Sequence, residues 1–417
     1  MAVTLRSFKL RPIHIWMGGL AVVTGIGAVA GIMVFARGLV LTNLTDLVPW
    51  GLWITIDLSS IALSAGAFTV CAAVYLLGLK QYQPVARTAT FIGLIGYSMA
   101  LLTLLLDIGR PDRFWHALVF WNTHSVLWEV SMCLTLYLGV LALETIPIIS
   151  ETEFMRSRWP GLSRRLESIH NLAPYLAVAG LFLSMLHQSS LGAAFGVLKA
   201  RPFWYRPGIS VLFIISAAAG GISFTVLVSM LSSRVSRGIK VKDELLERLA
   251  LVVGWILVGY LYFRFWDAFS MTYTYEPGRT EGLALLTKGP LAFNFWVGEI
   301  LLGALIPIVL LLNSRTRSIG WVRMLALLMV VGGVVAYRWD TILAGSVIIL
   351  TYLPHEMQTL YTSYTPSLIE FLSGAGVIAY GILAITIGVR YLRVVDHTDV
   401  HEAMPETRVV DVSVGAD

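Results

Sequence analysis

The stretch "LAPYLAVAGLFLSMLHQSSLG", residues 172–192, holds the decision about the fold. From Leu172 to Leu186 it is apolar almost throughout and lacks the period-two alternation of a half-buried strand, so it reads as a membrane-crossing helix. It then runs into His187 and Gln188, flanked by serines. A lone histidine closing an apolar helix is commonly a packing or interfacial residue. Its meaning depends on what other segments place at the same depth.

Of the 417 residues, 57% are hydrophobic and 13% charged, a balance suited to a polytopic membrane protein and not to a water-soluble domain. Windows long enough to cross a bilayer, about 20 residues each, run from Ile13 to Phe35, Leu52 to Leu79, Val85 to Leu106, Ser125 to Ile149 and Leu172 to Leu186. They continue from Ile209 to Leu231, Leu249 to Phe265, Leu291 to Leu312, Trp321 to Tyr337 and Leu368 to Ile387. Membrane strands need only about 10 residues, so an all-α fold of about ten spans is expected. The organisation predicted is a cytoplasmic N-terminus with the first span (1–35), a four-helix bundle (48–192), a second four-helix bundle (207–345), a last span (365–393) and a cytoplasmic tail (394–417). Arg6, Lys9 and Arg11 ahead of Ala28-Val29-Ala30 imitate a signal peptide, but the apolar run continues to Phe35, which favours a retained first helix.

Basic residues set the expected orientation. One set of alternate connections, with both termini, carries 20 of the 30 Lys and Arg residues; the opposite set carries 8, and Arg264 and Arg338 lie inside spans. By the positive-inside rule both termini face the cytoplasm of a bacterial or archaeal cytoplasmic membrane. The net charge of +5 follows from this asymmetry, and nucleic acid is not needed to explain it. Cys71 and Cys133 fall inside spans without CxxC spacing, so neither a zinc site nor an iron-sulfur cluster is expected in this polypeptide.

The orientation gives each polar residue a depth. Asp57 lies about 8 Å below the outer start of the second span at 1.5 Å per residue. Asp107 and Arg110 close the third span, His124 stands at the rim of the fourth with Glu129 a turn and a half deeper, and His187 and Gln188 close the fifth. On the second span Asp57, Ser60, Ser64 and Cys71 share about 60° of arc; on the fourth, Glu129, Cys133, Tyr137 and Glu144 share roughly 80°, the two glutamates about 22 Å apart. A carboxylate in hydrocarbon costs several kcal/mol unless it is paired, protonated or hydrated. Asp107 with Arg110 reads as such a pair, whereas Glu129 has no basic residue one turn away and reads as functional. In the second half Arg264, Asp267, Glu299, Arg338, Asp340 and Glu370 supply arginines for nearly every acid, which reads as a structural polar network.

"PWGLWITIDLSSIALSAGAF" (49–68), "GYSMALLTLLLDIGRP" (96–111), "NTHSVLWEVSMCLTLYLGVLALE" (122–144) and "MLHQSSLG" (185–192) resemble the NrfD-type family of integral membrane subunits. Within it the closest likeness is to the HybB-type subunit of periplasm-facing nickel-iron hydrogenases. Weaker matches, "RFWD", "FWVGEIL" and "YTPSLIEFL", extend to the last span. The resemblance implies a quinone-reactive anchor of a respiratory oxidoreductase complex, without haem or iron-sulfur cluster of its own. A periplasmic ferredoxin-like iron-sulfur subunit, carrying electrons to or from a catalytic subunit, would dock on the outer face, and menaquinone or ubiquinone would sit in the first bundle. By that resemblance Asp57, His124, Glu129, His187 and Gln188 would line the quinone headgroup, and Tyr97, Asp107, Arg110, Glu129 and Glu144 would carry protons. Two rival readings remain: a b-type cytochrome with His124 and His187 as axial ligands, and a secondary transporter whose intramembrane charges line a substrate path.

Overall fold

The computed structural model describes residues 12–65, 67–235, 241–273, 276–353 and 356–392. The predicted cytoplasmic tail and the basic residues of the N-terminus lie outside the described residues. Ten helices are long and apolar enough to cross a membrane: α1 (Pro12–Arg37), α2 (Leu52–Tyr75), α3 (Lys80–Asp107), α4 (Val126–Ser150), α5 (Ala173–Gly196), α6 (Gly208–Arg234), α7 (Asp243–Tyr273), α8 (Asn294–Leu312), α9 (Gly320–Val347) and α10 (Leu368–Tyr391). The protein is thus an all-α, multi-pass membrane protein. Side chains such as Phe182, Trp255, Val309 and Phe371 remain exposed on the helices. In a bilayer that apolar rind meets lipid, and the helices must be held together by close packing and internal polar contacts instead.

Glycines allow that closeness. Gly27 of α1 and Gly376 of α10 stand backbone to backbone, as do Gly303 of α8 and Gly333 of α9, and a methyl group at any of the four would overlap the opposing main chain. α6 lies centrally and packs against α2, α5, α7 and α9, so the two predicted bundles share a wall.

Two features have no counterpart in the apolar pattern. Residues Asn294–Leu305 of α8 form a π-helix, closed by the Ile306 N–H donating to the Leu301 carbonyl five residues back. After α9 comes an antiparallel hairpin of β1 (Ile348–Leu353) and β2 (Glu356–Tyr361), with Ile348 opposite Tyr361. Ile348, Ile349 and Leu350 of β1 are buried, and the Leu350 N–H donates to the Ala200 carbonyl at 2.9 Å, which ties the α5–α6 connection to the hairpin. The side of the molecule where α2, α4, α6, α8 and α10 begin is called the hairpin face below.

Several helices also run further towards that face than their charges suggest. α5 continues nine residues past His187, α7 past Arg264 and α9 past Arg338, each to its end at Gly196, Tyr273 and Val347. His187 therefore sits about 13 Å of helix rise below the end of α5, not at its rim as expected.

Candidate functional site

The first four spans after α1 converge on one interior cluster. His187 is buried on α5, its ring centre 5.8 Å from that of Tyr97 on α3. Tyr97 meets Tyr137 of α4 edge to face at 4.4 Å, and Tyr137 meets Phe68 of α2 at 4.9 Å. Asp57 is buried on α2, near enough to Asp107 and Tyr97 to interact electrostatically with both. The Tyr97 hydroxyl, both His187 ring nitrogens, the Gln188 amide nitrogen and Asp107 Oδ1 are buried with no hydrogen-bond partner among the described residues, while the Tyr137 hydroxyl meets the Ser184 side chain.

An unpartnered buried donor or acceptor costs about 1–3 kcal/mol, and native interiors hold few of them. Five such atoms lie on α3 and α5, and others lie on Arg206, Tyr337, Arg338 and Asp340 in the second half. The local sequence explains the convergence. On α5 His187 and Gln188 follow a buried stripe through Gly180 and Ser184, and Ser125 caps the start of α4 by accepting from the Trp128 N–H, which fixes the register of Glu129.

Glu129 is half-buried and accepts from the Ser190 hydroxyl at 2.8 Å, so it joins α4 to α5 one turn from His187. Glu144 lies towards the opposite face, accepts from the Thr90 hydroxyl at 3.4 Å, and shares a small cavity with Arg87 and Thr90. Two predicted members stand elsewhere. His124 is exposed, and its backbone N–H donates to the Asn122 side chain. Arg110 does not pair with Asp107. Gly109 adopts a left-handed φ of 70° that turns the backbone outward, and the exposed Arg110 binds Asp112 at 3.2 Å through two nitrogens. That bond holds the Asp112 carboxyl below its ordinary value.

The sequence as a whole has relatives among known proteins. The family model described as polysulphide reductase, NrfD, matches residues 40–350. The protein belongs to the NrfD family. A menaquinone reductase integral membrane subunit of Nitratidesulfovibrio vulgaris is 32% identical over 395 residues, covering 92% of both sequences. A component of the polysulfide reductase of Wolinella succinogenes is 26% identical, covering 72% of this sequence and 94% of its own. A probable Ni/Fe-hydrogenase 2 b-type cytochrome subunit of Escherichia coli is 28% identical, covering 69% and 70%. The relatives of this NrfD protein are thus membrane subunits of oxidoreductases, and it is a subunit of that kind.

The second half of the NrfD protein holds a buried ionic network. Arg264 binds Glu299 through two nitrogens at 2.7 and 3.2 Å and Asp267 at 3.0 Å; Tyr260 donates to Glu299 at 2.7 Å, and Arg206 to Asp267 at 2.7 Å. Arg338 and Asp340 do not pair with each other. Arg338 lies 3.6 Å above the Phe213 ring centre and donates to Gln188 at 3.3 Å and Ser216 at 3.2 Å, while Asp340 accepts from Asn294 at 2.8 Å. Through Gln188, Arg338 connects this half to the His187 cluster. Glu370 stands apart from the network, because it caps α10 in a box with Ser367 and takes the Asn43 N–H at 2.9 Å. Sequence reading missed Arg206, Tyr260 and Asn294. Arg206 sits in an aromatic, proline-rich connection and meets its partner 61 positions away, which no local spacing rule discloses.

Proposed function

We propose that this protein is the quinone-reactive membrane subunit of a respiratory oxidoreductase complex, and that the quinone headgroup lies in the cluster around His187. The observation that carries the reading is the grouping of unpartnered buried donors and acceptors on Tyr97, His187 and Gln188. The menaquinone reductase relative, similar along almost its whole length, supports it. A bound quinone supplies a couple of two electrons and two protons. His187, Gln188 and Tyr97 would hold its carbonyl oxygens by donation, the interaction that strengthens as negative charge builds. Asp57 and Asp107 would hold protons beside them, and Glu129 would position α5 through Ser190. Tyr137 and Glu144 extend the titratable face of α4 across the bundle and are proposed to pass protons. His124 and Arg110, exposed on the hairpin face, fit the rim where a partner would dock better than the headgroup site.

In this reading the hairpin face is extracytoplasmic and receives a ferredoxin-like iron-sulfur subunit, and both termini are cytoplasmic. The Escherichia coli relative, a probable b-type cytochrome subunit, favours a second reading, a haem-bearing subunit. A Soret band in the purified protein would establish that alternative.

The test uses the assembled complex. His187→Ala should lower quinone-linked turnover at least tenfold, about 1.4 kcal/mol in barrier, while the catalytic partner's activity with a soluble dye stays intact. Unchanged quinone-linked turnover would overturn the assignment.

A further inference from the structure

A slot of about 760 Å³ lies outside the His187 cluster, between α2, α3, α8, α9 and α10. Its walls are almost wholly apolar. Three of the four α2 hydroxyls that line it are committed to their own helix: Thr55 donates to the Gly51 carbonyl, Ser59 to Thr55 and Ser64 to Ser60. The slot opens sideways along a rim of Leu302, Val335, Ile378 and Ile382, which are 39%, 39%, 42% and 41% exposed. Such an opening faces the hydrocarbon of the bilayer.

Its depth selects the occupant. From Leu52 to Ser64 the lining descends about 18 Å along α2. Leu63 and Val334 flank Gly220 at one level, and the lining continues on α9 to Met329, about 24 Å below Leu52. The hydrocarbon core is about 30 Å thick, so a phospholipid acyl tail from the hairpin-face leaflet ends near 15 Å. A polyprenyl tail does not stop there. α2 and α3, packed together at Gly96, Ser60 and Ser64, form the wall between the slot and the proposed headgroup site. Thr55 and Ile56 precede Asp57 on α2, and Gly96 precedes Tyr97 on α3, so two neighbouring faces of the same two helices serve the two regions.

We propose that this slot holds the polyprenyl tail of the quinone, entered laterally between α9 and α10. The inference rests on the function proposed above. Gly332 lines the slot and a Cβ there meets nothing within 4 Å, so Gly332→Trp directs an indole into the slot from α9; Ile382→Trp does so from the rim on α10. In the complex reconstituted in vesicles, each variant should raise KM at least tenfold for a naphthoquinone with a long polyprenyl tail. KM for the tail-less naphthoquinone should stay within twofold, and long-tailed quinone should no longer co-extract with the purified complex. Unchanged KM for both substrates, equal loss on both, or a phospholipid recovered from the slot in place of quinone overturns the tail assignment. A wild-type complex inert towards both quinones instead removes the function on which it rests.

Discussion

His187 and Asp107 make no hydrogen bond through their buried ring nitrogens and Oδ1 within the described protein, yet Glu299, equally buried, is fully engaged. The difference separates the His187 cluster from the Arg264 network. Around Arg264 the groups satisfy one another, since Glu299, Asp267 and Tyr260 all bond within the set, and removing one partner strands the rest: breaking a buried ion pair costs about 3–5 kcal/mol because a charge is left uncompensated. Glu299→Ala should therefore lower the midpoint of thermal unfolding in detergent steeply and reduce the amount of protein that accumulates in membranes. Normal accumulation with an unchanged midpoint would show that Arg264 is held adequately by Asp267 alone. In the first half the polar residues are visible in the sequence by depth, and Asp57, Tyr97, His187 and Gln188 do share one region. The separation of Asp107 from Arg110 is not legible there, since it turns on the left-handed φ of Gly109, which redirects the backbone after the helix ends.

At the scale of helices, a charge in the sequence mimics a terminus. The apolar windows end α7 at Phe265 and α9 at Tyr337, but the helices continue to Tyr273 and Val347 because Arg264 and Arg338 are bound inside the protein and need not reach water. The π-helix of α8 is equally hidden. Its composition is that of any apolar span, and what distinguishes it is tertiary: Asn294 reaches Asp340, Glu299 reaches Arg264 and Gly303 reaches the Gly333 backbone. Glycine contacts, by contrast, can be tested one element at a time. Gly376→Val places a branched side chain on the Gly27 backbone and should part α1 from α10, at about 1–3 kcal/mol by overpacking. Limited proteolysis at the α1–α2 connection reads the separation. Gly25→Ala on the same helix as Gly27 meets nothing within 4 Å and should leave the digestion pattern unaltered, which distinguishes a contact effect from a general loss of helix.

For the molecule as a whole, orientation decides which surface can receive an electron-transfer partner. The basic residues divide by connection, and the hairpin face carries the smaller share together with exposed aromatics such as Phe114, Phe120 and Trp121. The asymmetry is legible in the sequence because moving Lys and Arg across a membrane is disfavoured whatever the tertiary structure, whereas the hairpin is not, since its strands are short and its pairing is set by the α5–α6 connection against which β1 lies. Cys71 and Cys133 are both buried, so the native protein offers little background to a membrane-impermeant maleimide. Gln358→Cys, on the exposed strand of the hairpin, should label in intact cells, and Ser157→Cys, on the connection between α4 and α5, only after permeabilisation. If the pattern is reversed, the His187 cluster lies nearer the cytoplasm. The iron-sulfur partner must then dock from inside.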